Sequence, residues 1–157
     1  MTDSPQQDRS QLVWFEDFHT TNQVFEYGSW LMTTKDMLDY ARMYDPEPFH
    51  IDEAEAIRLG WGGLIASGPQ MVSICRRLQK DGFPNAEVVI SPGWDDIAWF
   101  KPVYAGDVIT CQSKVLETRI LNSRPGEGAV KLRNKLINQK AEIVSQMTTN
   151  WFVRRSP

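Results

Sequence analysis

The second half of the chain contains a run of strand-like segments, and this run most constrains the fold. Segments rich in β-branched and aromatic residues occupy residues 86–90, 97–100, 108–118, 130–137 and 143–153. Turn residues separate them: Ser91-Pro92-Gly93, Lys101-Pro102, Ala105-Gly106-Asp107, Arg124-Pro125-Gly126 and Asn138-Gln139. In residues 130–137, apolar side chains alternate with Lys131, Arg133 and Lys135. One face of that strand is therefore exposed to water, which is typical of an antiparallel sheet.

A long amphipathic helix is predicted immediately before these strands. Ser67 suits the N-cap, Pro69 suits the first turn, and Asp81-Gly82 ends the pattern. The apolar residues recur at i, i+3, i+4 and i+7 and form one stripe: Met71, Ile74, Cys75 and Leu78. The expected class is α+β, with a curved antiparallel sheet wrapped around this one long helix.

Shorter elements are predicted in the first half of the chain. Aromatic residues recur among polar ones near the N-terminus, and we expect an edge strand at residues 23–27. Thr34 is expected to cap a helix over residues 35–43. Asp52 is expected to cap a second, short helix over residues 53–59.

Length and charge limit the classes of protein that this chain can represent. With 157 residues, 41% of them hydrophobic, we expect one globular domain over residues 13–157 behind a flexible tail at residues 1–12. A net charge of -3 gives no general attraction to nucleic acid or to an acidic membrane surface. No apolar run reaches the roughly 20 residues of a membrane span, and no signal-peptide core is present, so a cytoplasmic protein is expected.

The two cysteines do not indicate a metal site or a disulfide framework. Cys75 and Cys111 lie far apart in the sequence, with no CxxC motif and no Cys/His cluster. We expect both to be buried as small apolar residues. The sequence therefore predicts no bound metal.

Asp45 and His50 are the candidate acid and base. They lie in Asp45-Pro-Glu-Pro-Phe-His50, where the prolines fix φ and disfavour helix in the residues before them. We therefore expect both side chains on an extended, stiff loop. A carboxylate and an imidazole held together can bind one water, and one group can take its proton while the other orients it. Such a pair can add water to an activated double bond, or remove it.

Gly68 is the candidate donor to a negatively charged oxygen. It begins the predicted long helix, and the first N–H groups of a helix have no intrahelical partner and lie at the positive end of the dipole. Gly68 has no side chain to block an approaching oxygen, whereas Pro69 has no N–H. An oxyanion donor of this kind contributes on the order of 100- to 1000-fold in rate.

These residues also have ordinary structural explanations. An aspartate before a proline commonly ends a helix, as Asp45 does here. Ser67-Gly68-Pro69 is also a normal helix start that needs no ligand. The spacing alone therefore does not establish a reaction.

Several runs of residues in this chain, taken together, resemble a known family. The first run extends from Asp36 to Asp52 and contains the acid and the histidine with four residues between them. The second is Gly62-Gly-Leu-Ile-Ala-Ser-Gly68, and a third extends from Trp94 to Asp107. In this order they resemble the MaoC-like dehydratases, also called (R)-specific enoyl-CoA hydratases or hydratase 2. The resemblance covers residues 14 to 153.

The resemblance implies a fold, a substrate class and a set of roles. The fold is the hotdog fold, in which the sheet wraps the central helix, usually in a homodimer or a larger homo-oligomer. The substrate is a thioester of coenzyme A or acyl carrier protein, and the reaction is (R)-specific hydration of trans-2-enoyl thioesters or dehydration of 3-hydroxyacyl thioesters. By matching position, Asp45 and His50 carry over as the catalytic pair and Gly68 as the oxyanion donor. Neither direction of this reaction needs a metal or a redox cofactor.

Further residues are candidates for binding the substrate. Tyr44, Trp61 and Phe100 are candidates to line an acyl tunnel, although aromatic residues are more often plain core. Ser67 either supports the site or only caps the helix. Glu47, which stands where many family members have asparagine, either lies near the water or points to solvent.

Two other functions stay open at the level of sequence. A hotdog thioesterase would use a carboxylate on the same fold to direct water at the thioester carbonyl. A non-catalytic hotdog subunit would keep the fold and lend its surface to a partner. The joint presence of Asp45, His50 and Gly68 favours the hydratase over both.

Overall fold

The fold is described for residues 12–18 and 23–157 of a computed structural model. In chain order these ranges contain a 3-10 helix (Phe15–Phe18), β1 (Val24–Leu31), α1 (Thr34–Tyr44), α2 (Pro48–Ile51), α3 (Glu53–Arg58), α4 (Gly68–Gly82), β2 (Val88–Trp99), β3 (Val108–Leu121), β4 (Arg124–Ile137) and β5 (Ile143–Arg154). The predicted tail lies outside the described residues except for its last residue, Leu12.

The strands of the described ranges form one antiparallel sheet in the order β1-β3-β4-β5-β2. β1 lies at one edge, as predicted, and extends past residues 23–27 to Leu31. In β4, Leu132 and Leu136 are buried, whereas Arg133 between them is exposed. The predicted α+β class and the alternation that supported it are therefore confirmed.

Helix α4 packs against one face of this sheet, which is the expected hotdog arrangement. The predicted stripe is buried in one cluster with residues of the sheet: Met71, Ile74, Cys75, Leu78, Ile109, Leu136 and Met147. Gly28 of β1 has φ of +74°, and a Cβ there would lie 2.5 Å from Leu78 Cδ2. Glycine at this position lets β1 pass directly against the central helix.

A network of polar side chains lies beneath α4. Gln79 Nε2 donates to Asn134 Oδ1 at 2.9 Å and to Thr149 Oγ1 at 3.0 Å. Ser113 Oγ donates to the same Asn134 oxygen at 2.5 Å, and the Tyr27 hydroxyl lies 2.5 Å from Ser113 Oγ. The network ties the central helix to β1, β3, β4 and β5. The alternation in residues 130–137 puts Asn134 on the same face as the apolar residues, but it does not indicate these partners.

The predicted turns within the strand region are wrong at two places. Residues 86–90 and 97–100 were expected as separate strands, but residues 88–99 form the single strand β2, with irregular pairing to β5 around Pro92. Proline is tolerated there because β2 is an edge strand. The turn between β3 and β4 falls at residues 122–123, and Arg124-Pro125-Gly126 already belongs to β4. In both cases the pairing of long neighbouring strands overrides local turn residues.

The helix predictions also need two corrections. Thr33, rather than Thr34, caps α1, and its Oγ1 accepts a hydrogen bond from Asp36 N at 3.1 Å. His50 lies in the short helix α2 rather than on an extended loop, because Pro48 takes the first helical position, where no N–H is needed. The predicted cap of α3 is confirmed, since Asp52 accepts bonds from the second and third residues after it.

Candidate active site

Asp45 is placed where α1 ends. Its N–H donates to the carbonyl of Ala41 at 2.9 Å, so the helix holds its backbone. Its side chain is partly buried, and Oδ2 accepts a hydrogen bond from Ser67 Oγ at 2.6 Å. The carboxylate is therefore fixed from two elements, α1 and the start of α4.

His50 is held from α2 and from the chain that precedes α4. The residue is only 7% exposed. Its Nδ1 donates to the carbonyl oxygen of Ile65 at 2.9 Å, because a carbonyl can only accept. This bond fixes the ring so that Nε2 faces Asp45 Oδ2 at 3.5 Å. In the neutral imidazole, Nε2 is then a hydrogen-bond acceptor.

Asp45 and His50 bring a carboxylate oxygen and a ring nitrogen to one place. The 3.5 Å between Nε2 and Oδ2 exceeds a good hydrogen bond, and both atoms accept when the ring is neutral. A water molecule can donate one hydrogen to each of them. The predicted pairing of Asp45 and His50 is thus present in the geometry, although α2 rather than an extended loop brings the histidine in.

Gly68 is the first residue of α4, as predicted, and the start of the helix is not capped by a side chain. Ser67 occupies the N-cap position, but its hydroxyl donates to Asp45 instead of accepting from α4. Within the described residues, the N–H of Gly68 has no hydrogen-bond partner. This N–H is therefore available to an oxygen of a ligand.

A cavity of about 370 Å³ is lined by both His50 and Gly68. His50, Gly68 and the predicted residue Trp61 line it, together with Trp99, Lys101 and mainly apolar residues. An apolar cavity with a few convergent polar groups is typical of a small-molecule site.

Two of the predicted substrate residues lie elsewhere. Phe100 is 56% exposed and does not line this cavity. Tyr44 is 67% exposed and lines a separate groove between α1 and α4, where its ring contacts Tyr40. The structure therefore brings together Asp45, His50, Ser67, Gly68 and Trp61 from the predicted set.

Trp99 at the end of β2 is a lining residue that the sequence did not single out. Its indole Nε1 donates to the carbonyl oxygen of Gly68 at 3.1 Å. No spacing motif links residues 31 positions apart, and only the pairing of β2 in the folded sheet brings them together.

Glu47, which differs from the asparagine of many family members, is exposed at the start of α2. Its side chain makes no capping bond to that helix.

The described part of the chain contains neither a cluster of metal-binding side chains nor a helix suited to span a membrane. Among residues 12–18 and 23–157, no group of three His, Cys, Asp or Glu side chains is arranged to hold a metal ion. None of the helices in these ranges has the length and apolar character that a bilayer crossing requires.

Comparison with known proteins gives a consistent result. A family model described as MaoC like domain matches residues 17–138. The chain is 30% identical over 140 residues to the uncharacterized protein YdeM of Bacillus subtilis (strain 168), which covers 88% of this chain and 98% of YdeM. The MaoC-like dehydratase from Rhodospirillum rubrum is 30% identical with a TM-score of 0.85, over 92% of this chain and 99% of that one.

A more distant structure shares the fold. The R-hydratase PhaJ1 from Pseudomonas aeruginosa has a TM-score of 0.74 at 20% identity, over 92% of this chain and 88% of that one. The match of the family model spans most of the described sheet and all of α4. The chain therefore belongs to the MaoC-like domain family.

Proposed function

We propose that the protein is a hydro-lyase that adds water to trans-2-enoyl thioesters and, in reverse, dehydrates (R)-3-hydroxyacyl thioesters. The observation that carries this proposal is that Oδ2 of Asp45 and Nε2 of His50 lie 3.5 Å apart next to the start of α4, where Ser67 holds Asp45. There the N–H of Gly68 has no hydrogen-bond partner among the described residues. Water addition needs one group to take a proton and one donor for the enolate oxygen. Both requirements are met by residues that line or adjoin one cavity.

The proposed reaction adds the hydroxyl group of one water molecule to C3 of the substrate and a hydrogen to C2. Asp45 takes a proton from the water while Nε2 of His50 accepts its second hydrogen bond and orients it. The water oxygen bonds to C3, and the electrons of the C2–C3 double bond move onto the thioester carbonyl oxygen. The N–H of Gly68 stabilises this enolate oxygen. The enolate then takes a proton at C2 from the Asp45–His50 pair, so that one hydroxyl and one hydrogen have been added.

The cavity and the family support a proposal for the substrate class. Its lining is mainly apolar, which suits an acyl chain, and Lys101 is the one lysine or arginine among its lining residues. We propose a thioester of coenzyme A or of acyl carrier protein as the substrate. The family membership and the R-hydratase named among the structures of the same fold support this choice. The proposed reaction has no net oxidation or reduction, and Asp45, His50 and Gly68 supply the proton transfers and the donor to the enolate oxygen. We therefore propose that it proceeds without a metal or a redox cofactor.

We also propose that two copies of the chain associate through β2. This strand is a sheet edge and exposes several large apolar side chains: Val89, Ile90, Ile97 and Trp99. Exposed apolar edge strands favour pairing with another chain. Sedimentation of the purified protein tests this proposal, and we expect a homodimer. A monomer at micromolar concentration would contradict it.

Crotonyl-CoA separates the proposed activity from its rivals. We expect the enoyl absorbance to fall without release of free thiol, and Asp45→Asn to reduce the rate at least about 1000-fold while the protein stays folded. Asp39→Asn, on the outer part of α1, is the matched control and keeps full activity. Release of thiol would instead identify a thioesterase. Absence of turnover with enoyl thioesters of every chain length would contradict the proposal, and co-purification with an active hotdog paralogue would then favour a non-catalytic subunit.

A further inference from the structure

Trp99 lies unusually close to Gly68. A Cβ built on Gly68 would be 2.7 Å from Cε2 of the indole, 2.9 Å from Cζ2 and 3.1 Å from Nε1. The first two distances are shorter than real Cβ contacts, and the crowding atoms belong to a rigid ring. The indole also donates its N–H to the carbonyl oxygen of Gly68 at 3.1 Å. Trp99 therefore both covers Gly68 and holds it.

A bulge in β2 precedes Trp99. The pairing of β2 with β5 shifts between Asp95 and Ala98, and Asp96 adopts φ of +53°. Its Oδ2 accepts a hydrogen bond from Thr148 Oγ1 at 3.3 Å. A bulge re-aims the side chains that follow it, and aspartate tolerates positive φ better than most residues. Trp99 follows the bulge and is 52% exposed at the strand edge, while its Nε1 is hydrogen-bonded to α4.

The contact with Trp99 gives a structural reason for glycine at position 68. Gly68 does not have the positive φ that would itself require glycine, and it begins a helix, where alanine is normally the better residue. The ring of Trp99 leaves space only for hydrogen at position 68. The position of the indole therefore explains the glycine separately from any role of its N–H.

We propose that Trp99 is a positioning residue for the oxyanion site. Through its bond to the carbonyl of Gly68 it holds the first turn of α4, so that the adjoining N–H stays aimed into the cavity. Its ring forms the wall of the cavity at the same place. The positioning role rests on the proposed hydratase function, whereas the contact between the two residues does not.

A double-mutant cycle on stability tests the contact without using activity. With Trp99 present, Gly68→Ala places a methyl group against the ring, and we expect Tm to fall by about 2 to 4 °C. In the Trp99→Ala background the same change removes glycine from a helix without a clash, and we expect Tm to rise by about 2 °C. The reversal of sign is the predicted result. The same sign in both backgrounds overturns the proposed contact.

Kinetics of Trp99→Phe test the positioning role. This change keeps a ring and removes the N–H, and we expect kcat for crotonyl-CoA to fall about tenfold with KM within about twofold. Trp14→Phe, which removes an indole N–H away from the cavity, is the matched control and leaves both constants unchanged. A wild-type kcat for Trp99→Phe, or an effect on KM alone, overturns the positioning role.

The two experiments distinguish failure of this inference from failure of the proposed function. If the wild-type protein hydrates no enoyl thioester, the hydratase proposal fails, while the sign reversal in Tm still decides whether Trp99 constrains Gly68. If the wild-type protein is active but Tm changes in the same direction in both backgrounds, the role of Trp99 fails and the hydratase proposal stands.

Discussion

Ser67 shows how one hydroxyl can change the function of a helix start. At an N-cap, a serine normally accepts from the helix and satisfies one of its free N–H groups. Here the hydroxyl donates to Asp45 at 2.6 Å, so the helix start remains open to a ligand and the carboxylate gains a fixed partner. The sequence placed Ser67 correctly at the cap position, but the choice between supporting the site and capping the helix needed the position of Asp45.

Ser67→Ala should therefore lower kcat. Loss of a hydrogen bond to a charged group allows the carboxylate to rotate away from the water, and we expect kcat to fall about tenfold. Ser73→Ala is the control, since Ser73 lies on the exposed side of the same helix and donates to a backbone carbonyl. Steady-state kinetics of both variants check this, and equal kcat values for them would contradict the role of Ser67.

Residue spacing predicted that Asp45 and His50 would lie together, but it did not predict their backbone. Asp45 and His50 were identified from their order and from the prolines between them. The same prolines indicated an extended loop, which is wrong because Pro48 begins a helix instead of ending one. Trp99 was missed because its contact with Gly68 depends on a bulge in a strand that the sequence divided into two.

At the scale of the elements, the ends of α1 and α3 were predicted to within a residue, whereas α2 was not predicted and α4 continues through the expected stop to Gly82. Helix α1 shows why the exact residue matters. Two threonines, Thr33 and Thr34, stand side by side, and either suits an N-cap by residue type. The structure selects Thr33, whose Oγ1 accepts from Asp36 N. The ordering of α1 in turn determines where Asp45 lies, because its N–H donates to Ala41 of the last turn.

The two threonines give a matched pair of variants. Thr33→Ala removes the capping bond, and we expect the free energy of unfolding to fall by about 1 kcal/mol. Thr34→Ala, which removes an exposed side chain in the first turn, should change it by less than about 0.5 kcal/mol. Urea unfolding of both variants measures the difference. A larger loss for Thr34→Ala would mean that the cap lies one residue later, as the sequence suggested.

At the scale of the whole molecule, the class and the sheet were predictable because both follow from periodicity. Alternation in residues 130–137 and the stripe on α4 are local patterns with one structural solution, a sheet against a helix. The polar network of Tyr27, Gln79, Ser113, Asn134 and Thr149 was not predictable. Each member comes from a different element, and no local pattern reports which buried polar groups will meet.

Tyr27 links this network to the pH dependence of stability. Burial raises the pKa of its hydroxyl well above the ordinary value near 10. The folded state therefore keeps the proton that the unfolded state loses. The contribution of Tyr27 to the free energy of unfolding is complete below about pH 10 and is lost as pH rises above that value. We expect Tyr27→Phe to flatten the loss of stability between about pH 9 and pH 11.

Unfolding free energies measured across that pH range test this account of Tyr27. The control is Tyr44→Phe, because the side chain of Tyr44 is largely exposed and its loss should leave the alkaline slope as in the wild type. An unchanged slope for Tyr27→Phe would contradict the assignment of the raised pKa to this residue.

The fate of the water oxygen tests the central claim most directly. Crotonyl-CoA is incubated with the protein in heavy-oxygen water, and the products are separated and analysed by mass spectrometry and by the configuration at C3. The account predicts (R)-3-hydroxybutyryl-CoA with the label on its hydroxyl at C3, formed by the wild type and not by Asp45→Asn. Label in the carboxylate of free crotonic acid, with release of coenzyme A, would contradict it.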